Sequence, residues 1–439
     1  MMETRRVAFH TLGCKVNQYD SQAMLELFRA AGYRAVPFTD EADVYVINTC
    51  TVTGVGDKKS LQLARRVRRE RPEAALVLCG CLAQRRGEEL LRETGAALVL
   101  GTQRRAEIVA LLEEALADGK PRCAVTPLDG TAFEPLRVSG AEGHTRAVMK
   151  IQEGCDNHCT YCVIPSVRGP IRSRPPEEIA REARALTEAG FRELVLTGIH
   201  LTSYGRDLPA EPAGAPVTLA EGIAAAHGAP GLARLRLGSL EPVVATEAFT
   251  ARLAGMEKLC PQFHLALQSG SDTVLRRMAR RYNMAMYRGA AARLRKAFPG
   301  CALTTDILTG FPGETEAEFR ETCDAVRELG FARIHVFPFS ARAGTRAAAM
   351  PGQLPREEKE RRARELIAIG REVSRDYRSA LIGQTEPVLL EDRDPDGCWL
   401  GYTPAYVQVR VPDGDGLTQG QIIPVKLTAL DGDGMRGEP

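Results

Sequence analysis

The sequence predicts an α/β protein in three parts: an N-terminal domain on a parallel sheet, a central partial β/α barrel, and a small C-terminal β-barrel. Three observations in the 439 residues predict it. Short apolar runs alternate with longer amphipathic ones over roughly the first 115 residues. The alternation resumes at Ala147 and supplies six further strand candidates before about Tyr377. The last stretch of roughly 60 residues changes to short strands separated by Asp, Gly and Pro turns. These patterns assign 1–116 to the first domain, 117–143 to a linker, 144–376 to the central barrel and 377–439 to the C-terminal barrel.

The elements follow in order. Arg6–Thr11, Asp43–Asn48, Ala75–Leu78 and Ala97–Leu100 read as strands, with helices over Ser21–Ala31, Lys58–Arg69 and Arg105–Leu116. Strand alternating with helix implies a parallel sheet covered on both faces. The linker is rich in Gly, Pro and turn formers, with room for one strand. The central strands are Val148–Gln152, Glu193–Thr197, Arg234–Gly238, His264–Leu267, Ala302–Leu308 and Arg333–Phe337, closed by a charged helix over Arg356–Tyr377. The C-terminal strands are Pro387–Glu391, Trp399–Thr403, Tyr406–Val411 and Gln421–Leu427.

Composition bounds the function. Lys plus Arg is 58 against 56 Asp plus Glu, so whole-chain charge points to neither nucleic acid nor membrane. No run reaches the ~18 apolar residues of a membrane span, so no membrane partner is expected. The N-terminus lacks the apolar core of a signal peptide. A cytoplasmic protein is expected, and there 12 cysteines read as metal, redox or buried thiols rather than disulfides.

Cys155, Cys159 and Cys162 form C-x3-C-x2-C directly after the first strand of the central barrel, where ligands of parallel sheets sit. Three thiolates on one loop can hold three irons of a cubane and leave the fourth open. A zinc knuckle short of one ligand and three unrelated thiols are the bland alternatives. Cys14, Cys50 and Cys81 each end a strand-like run. In one parallel sheet all three would meet at the same carboxyl edge, giving a second three-thiolate site. Buried strand-end thiols acting as small hydrophobes are the alternative. Cys79 shares the parity of Cys81, so the pattern leaves the choice between them open.

The C-x3-C-x2-C loop resembles that of the radical S-adenosylmethionine superfamily. Thr11-Leu12-Gly13-Cys14-Lys15-Val16-Asn17-Gln18-Tyr19, Asn48-Thr49-Cys50-Thr51-Val52-Thr53 and Gly80-Cys81-Leu82-Ala83-Gln84 resemble the N-terminal domain of its methylthiotransferase family. Leu196–His200, Leu267–Ser271, Gly310–Thr315 and Ser340–Thr345 match further family motifs, and Gly401–Val407 is similar to the RNA-binding TRAM domain. The resemblance covers nearly the whole chain. It implies two [4Fe-4S] clusters, one on Cys155, Cys159 and Cys162 and an auxiliary one on Cys14, Cys50 and Cys81, so it selects Cys81 over Cys79. It also implies S-adenosyl-L-methionine as cofactor, a transferase acting on tRNA, an electron donor protein and a sulfur source. By motif position, Gly198, Gln268, Gly310, Gly313, Arg174 and Arg342 are expected at the cofactor. The Lys15-Val16 pair between Cys14 and Asn17 is most like the branch acting on N6-threonylcarbamoyladenosine. Rival substrates are N6-isopentenyladenosine and a ribosomal-protein side chain, and a rival of another class is a non-catalytic RNA-binding protein with structural metal.

Two basic stretches are candidate RNA contacts: Lys58 to Arg71, and Arg276, Arg277, Arg280 and Arg281 beside Tyr282. A solvated helix face is the plain alternative. The C-terminal barrel carries a net charge of −5, unusual for a phosphate binder. Its Trp399, Tyr402 and Tyr406 are expected to stack unpaired bases instead. The remaining cysteines, Cys79, Cys123, Cys260, Cys301, Cys323 and Cys398, share no spacing and read as buried thiols.

Overall fold

At the centre of the N-terminal domain two apolar runs of six residues, Val44–Thr49 and Ala75–Gly80, pair edge to edge, and each hides both of its faces. The computed structural model describes residues 4–140, 145–210 and 214–439. Positions 141–144, where the expected linker ends and the central barrel starts, lie outside the described residues, as do Met1 to Glu3. Strands β1 (Arg6–Thr11), β2 (Arg34–Val36), β3 (Val44–Thr49), β4 (Ala75–Gly80), β5 (Leu98–Leu100) and β6 (Arg122–Ala124) form one parallel sheet in the order β2-β1-β3-β4-β5-β6. Successive residues of one strand feed opposite cores. Val7, Val46 and Val77 pack with Met24, Phe28 and Leu112, whereas Ala8, Tyr45 and Leu76 pack with Ala64, Val67 and Leu90. β6 belongs to the segment expected as a linker, and it completes the sheet by pairing with β5.

In the central part β7 (Arg146–Glu153), β8 (Arg172–Ser173), β9 (Glu193–Gly198) and β10 (Arg234–Leu237) form a sheet ordered β10-β9-β7-β8. β11 (Gln262–His264), β12 (Ala302–Thr309) and β13 (Arg333–Pro338) form a second sheet. Parallel bridges Leu235↔Leu259 and Leu240↔Leu265 carry the curve from one sheet to the other. Six parallel strands thus wind in chain order into a partial barrel, with the helix Arg356–Ser379 against β13.

β14 (Thr385–Arg393), β15 (Trp399–Tyr402), β16 (Gln408–Val411), β17 (Ile422–Asp431) and β18 (Gly434–Glu438) close into a five-stranded barrel around Val388, Trp399, Val409 and Leu427. This barrel docks on the central strands through charge. Arg234 donates to the carbonyls of Pro387 and Tyr402, and Arg236 to that of Pro404, while both guanidiniums pair with buried Glu193.

The first two parts share a polar seam. Tyr19 on the helix Lys15–Ala30 donates its hydroxyl to the Leu136 carbonyl at 2.7 Å and to Glu182 at 3.0 Å. Beside it, Asp20, Glu134 and Glu153 face Arg105, Lys150 and Arg168, all buried. Paired in this way the charges are held at acceptable cost.

Candidate functional site: two cysteine triads across one seam

Cys14, Cys50 and Cys81 leave the carboxyl ends of β1, β3 and β4, neighbours in the sheet. Cys14 is the residue before the helix Lys15–Ala30, and Cys81 opens the helix Cys81–Thr94. Two glycines make this convergence possible. At Gly80 (φ +90°) a Cβ would lie 2.3 Å from Asn48 Oδ1 and 2.7 Å from the Thr49 carbonyl. At Gly13 (φ +104°) it would meet Cys50 Cβ and Sγ at 3.0 Å. Only glycine lets the backbone take these turns so close to its neighbours.

The turn at Gly80 also separates Cys81 from Cys79. Strand parity stops applying where the strand ends, so Cys81 swings to the edge while Cys79 stays in the sheet. Cys79 is fully buried beside Val7, Val46 and Val77, its thiol facing the Ile47 carbonyl at 3.8 Å. Burial pushes its pKa up to about 12. Cys81 is pushed up to about 11 by burial, which the adjoining Arg168 guanidinium opposes. Arg168 donates its Nε–H to Cys81 Sγ at 3.2 Å, a partner that thiolate chemistry favours.

Cys155, Cys159 and Cys162 follow β7 on a loop tied down at many points. Asn157 N–H reaches Cys155 Sγ at 3.4 Å, Ile164 N–H reaches Cys162 Sγ at 3.4 Å, and Arg280 donates to Cys159 Sγ at 3.1 Å. Burial pushes Cys155 up to about 11 and Cys162 up to about 12, so metal binding there must displace protons. Each sulfur already has one donor and an open side. Among the described residues no three His, Cys, Asp or Glu side chains close around a single ion. A cubane takes its cysteines on different irons, so three thiols that do not close on a single ion still suit such a cluster. The donor set fits such a group at both triads.

Next to the loop a polar array joins the ends of several strands. Glu241 accepts from Asn157 at 3.1 Å and from Arg280 at 2.5 Å, and it pairs with His200 Nε2 at 3.2 Å. Gln152 accepts the His200 N–H at 2.6 Å. The sequence carries His200 only at the end of the Leu196–His200 motif and does not mark Arg168 or Glu241. Arg168 lies 87 positions from Cys81 and Glu241 lies 39 from Arg280, so no local spacing shows these pairs.

The expected cofactor positions divide. Gly198 ends β9, and a Cβ there would meet the Gln152 side chain at 2.8 Å, so it adjoins the polar array. Gln268 (φ +67°) bridges to β12 through its backbone. Gly310 backs onto Lys359, and Gly313 N–H bonds to the Gly352 carbonyl. Phe311 between them supports the loop, its ring 6.5 Å from that of Tyr161. Arg342 reaches across to the N-terminal domain, where it donates to Thr51 and pairs with Asp57. Arg174 is buried on Glu182, the Leu136 carbonyl and Tyr19, so these donors are held by the seam.

The candidate RNA contacts divide, with Arg280 drawn into the support of the loop while Arg65, Arg66 and Arg69 keep 64%, 61% and 75% of their side chains exposed. Arg277 pairs with Glu318, Arg280 holds Glu241 and Cys159, and Arg281 donates to the Asp156 carbonyl. On the helix Gly54–Glu70, Arg65 pairs with Glu93, and both Arg66 and Arg69 with Glu70; Lys58 and Lys59 are exposed. Tyr402 and Tyr406 stack on each other at 4.8 Å, with Arg146 over both rings and Arg236 over Tyr406. Trp399 is 5% exposed, with Arg393 over its ring. Trp399 thus packs in the barrel's core, while Tyr402 and Tyr406 lie beside Arg146 and Arg236 and stay partly exposed.

Comparison with solved structures gives the class first. The fold is that of radical S-adenosylmethionine enzymes: it superposes on the radical S-adenosylmethionine methyltransferase TsrM from Kitasatospora setae with a TM-score of 0.57 at 15% identity, covering 79% of this chain and 77% of that one. The Radical SAM superfamily model matches residues 149–326, and the model of Uncharacterized protein family UPF0004 matches residues 6–101. The threonylcarbamoyladenosine tRNA methylthiotransferase MtaB of Bacillus subtilis is 39% identical over 96% of this chain and 93% of its own length. Its namesake in Thermotoga maritima is 36% identical over 92% and 91%. The tRNA-2-methylthio-N(6)-dimethylallyladenosine synthase of Moorella thermoacetica is also 36% identical, over 98% and 97%. The chain belongs to the tRNA methylthiotransferase family, and it is a transferase.

Proposed function

We propose that this protein converts N6-threonylcarbamoyladenosine in tRNA, next to the anticodon, to its 2-methylthio derivative. In this reading Cys155, Cys159 and Cys162 hold one [4Fe-4S] cluster, and Cys14, Cys50 and Cys81 hold an auxiliary one. When bound, the first supplies the electron that cleaves S-adenosyl-L-methionine to a 5′-deoxyadenosyl radical, and the second presents the sulfur. A second S-adenosyl-L-methionine gives the methyl group. The reaction then needs an electron donor protein and a sulfur source, and the enzyme works in the cytoplasm, where its tRNA is.

The observation that carries the reading is a contact between the two segments that bear the triads. Arg168 lies six positions after Cys162 and touches Cys81 from the other domain. One site that must activate a carbon and deliver sulfur to it requires both triads at one seam. A radical route suits the adenine C2–H, which is too weakly acidic for a general base. The chain's own residues fix the geometry. Asn157, Ile164 and Arg280 orient the loop sulfurs, and Glu241 fixes Arg280. Support for the threonylcarbamoyl substrate comes from the Lys15-Val16 pair after Cys14.

Nucleoside mass spectrometry of tRNA from a strain lacking the gene tests the substrate. Loss of methylthiolated threonylcarbamoyladenosine is expected. Its persistence, with methylthiolated isopentenyladenosine lost instead, would overturn the assignment.

A further inference from the structure

A cavity of 590 Å³ lies between the helix Lys15–Ala30, Val148 and Val195 of the central sheet, and Tyr406 of the C-terminal barrel, and Lys15 on its wall directly follows Cys14 in the chain. Its size is that of a small-molecule site. Its charges are unevenly matched. Arg146 on its wall is paired with Glu391 at 2.6 Å and covers the Tyr402 and Tyr406 rings. Arg236 nearby is paired with Glu193. Lys15, also on the wall, has no carboxylate of a described residue within 4.0 Å. Among the described residues lining the cavity, Lys15 and Asp392 are the charged groups without an ion pair, and a carboxylate entering on the Lys15 side meets the ammonium.

We propose that Lys15 is the receptor for the carboxylate of the threonylcarbamoyl group, held in this cavity while the adenine faces the cysteines. The inference rests on the substrate reading above and names the residue that enforces it. Gln18, one helical turn from Lys15 on the same wall, presents an amide suited to the group's hydroxyl or urea. An N6-dimethylallyl group would cover the ammonium with hydrocarbon and return no hydrogen bond, which is costly for a charge. One residue then does two things: it admits the acidic substrate and rejects the apolar one. A phosphate of the RNA backbone offers the same anionic chemistry, so the test must separate the two sources.

The test uses reconstituted holoenzyme and anticodon stem-loop RNAs carrying N6-threonylcarbamoyladenosine, its threonine carboxamide analogue, or unmodified adenosine, with binding read by fluorescence anisotropy. The wild type is expected to bind the carboxylate form about 10- to 100-fold tighter than the carboxamide, the range of a hydrogen bond to a charged group. Lys15→Met should reduce that preference to near unity, and Lys15→Arg should keep most of it. Equal binding of carboxylate and carboxamide by the wild type overturns the inference without reference to any variant. An equal loss on all three RNAs in Lys15→Met also overturns it and assigns Lys15 to a phosphate. Turnover of an isopentenyladenosine stem-loop but not the threonylcarbamoyl one would instead overturn the substrate reading itself.

Discussion

Arg168 donates its Nε–H to Sγ of Cys81 at 3.2 Å, joining the helix behind Cys162 to the cysteine that opens the helix Cys81–Thr94. The same guanidinium reaches Glu153 at 2.7 Å and Asp20 at 3.1 Å. Arg168→Met therefore removes one of the three cations that face these buried carboxylates. A loss of about 3 kcal/mol is expected, since an uncompensated buried charge is left behind. Thermal unfolding of the metal-free protein checks it, and an unchanged midpoint would contradict the role given to Arg168.

Cys79 and Cys81 should separate cleanly in iron content. Two cubane clusters predict about eight irons per chain after anaerobic reconstitution. Cys81→Ala should leave about four. Cys79→Ala should keep the full number, because its sulfur is packed in the sheet core away from the edge. The reverse pattern would move the auxiliary ligand to Cys79.

Glu318 gives a pH signature. Burial opposes its ionisation, yet hydrogen bonds from Arg277 and Thr273 outweigh that and hold its pKa at about 2, against 4.5 for a free glutamate. A depressed carboxylate stabilises the fold above its unfolded pKa and loses that contribution as pH falls through the folded value. Glu318→Gln should thus be less stable than the wild type by about 1–2 kcal/mol at pH 6. The gap should shrink between pH 4.5 and about 2. Denaturant melts across that window measure it, and a gap constant with pH would show that the Arg277 pair contributes nothing.

Arg236→Leu should loosen the C-terminal barrel. The substitution removes the 2.9 Å bond to the Pro404 carbonyl and the cover over Tyr406, and it leaves Glu193 with Arg234 alone at 3.5 Å. Limited proteolysis is expected to cut faster near exposed Ile382, between the helix Arg356–Ser379 and β14. An unchanged cleavage rate would mean that Arg234 and the Arg146–Glu391 pair hold the barrel without it.

The six central strands were legible because each is a run of apolar or alternating residues, and the cysteine convergence followed from strand ends alone. β2 and β8 were not read as strands, and β6 only as room for one strand within the linker, because two or three residues carry no period. β18, Gly434–Glu438, is polar at alternate positions and glycine-rich, and it is fixed by its partners β16 and β17. The fate of the arginines was illegible for another reason. Arg168, Arg236 and Arg280 look like surface charge in sequence, and only tertiary contact with Cys81, Glu193 and Glu241 turns them inward.

The return of β6 to the first sheet limits how this protein can be taken apart. The chain leaves that sheet only after Ala124, and the stretch that follows is pinned at Leu136 by Tyr19 and at Ser139 by Glu26. A fragment ending at residue 116 would carry an unpaired β5 edge and an uncovered helix. Exchange of N-terminal halves between family branches, the natural way to transplant substrate choice, therefore needs a crossover beyond residue 140. A swap made at the apparent end of the first domain would test a broken sheet rather than a new specificity.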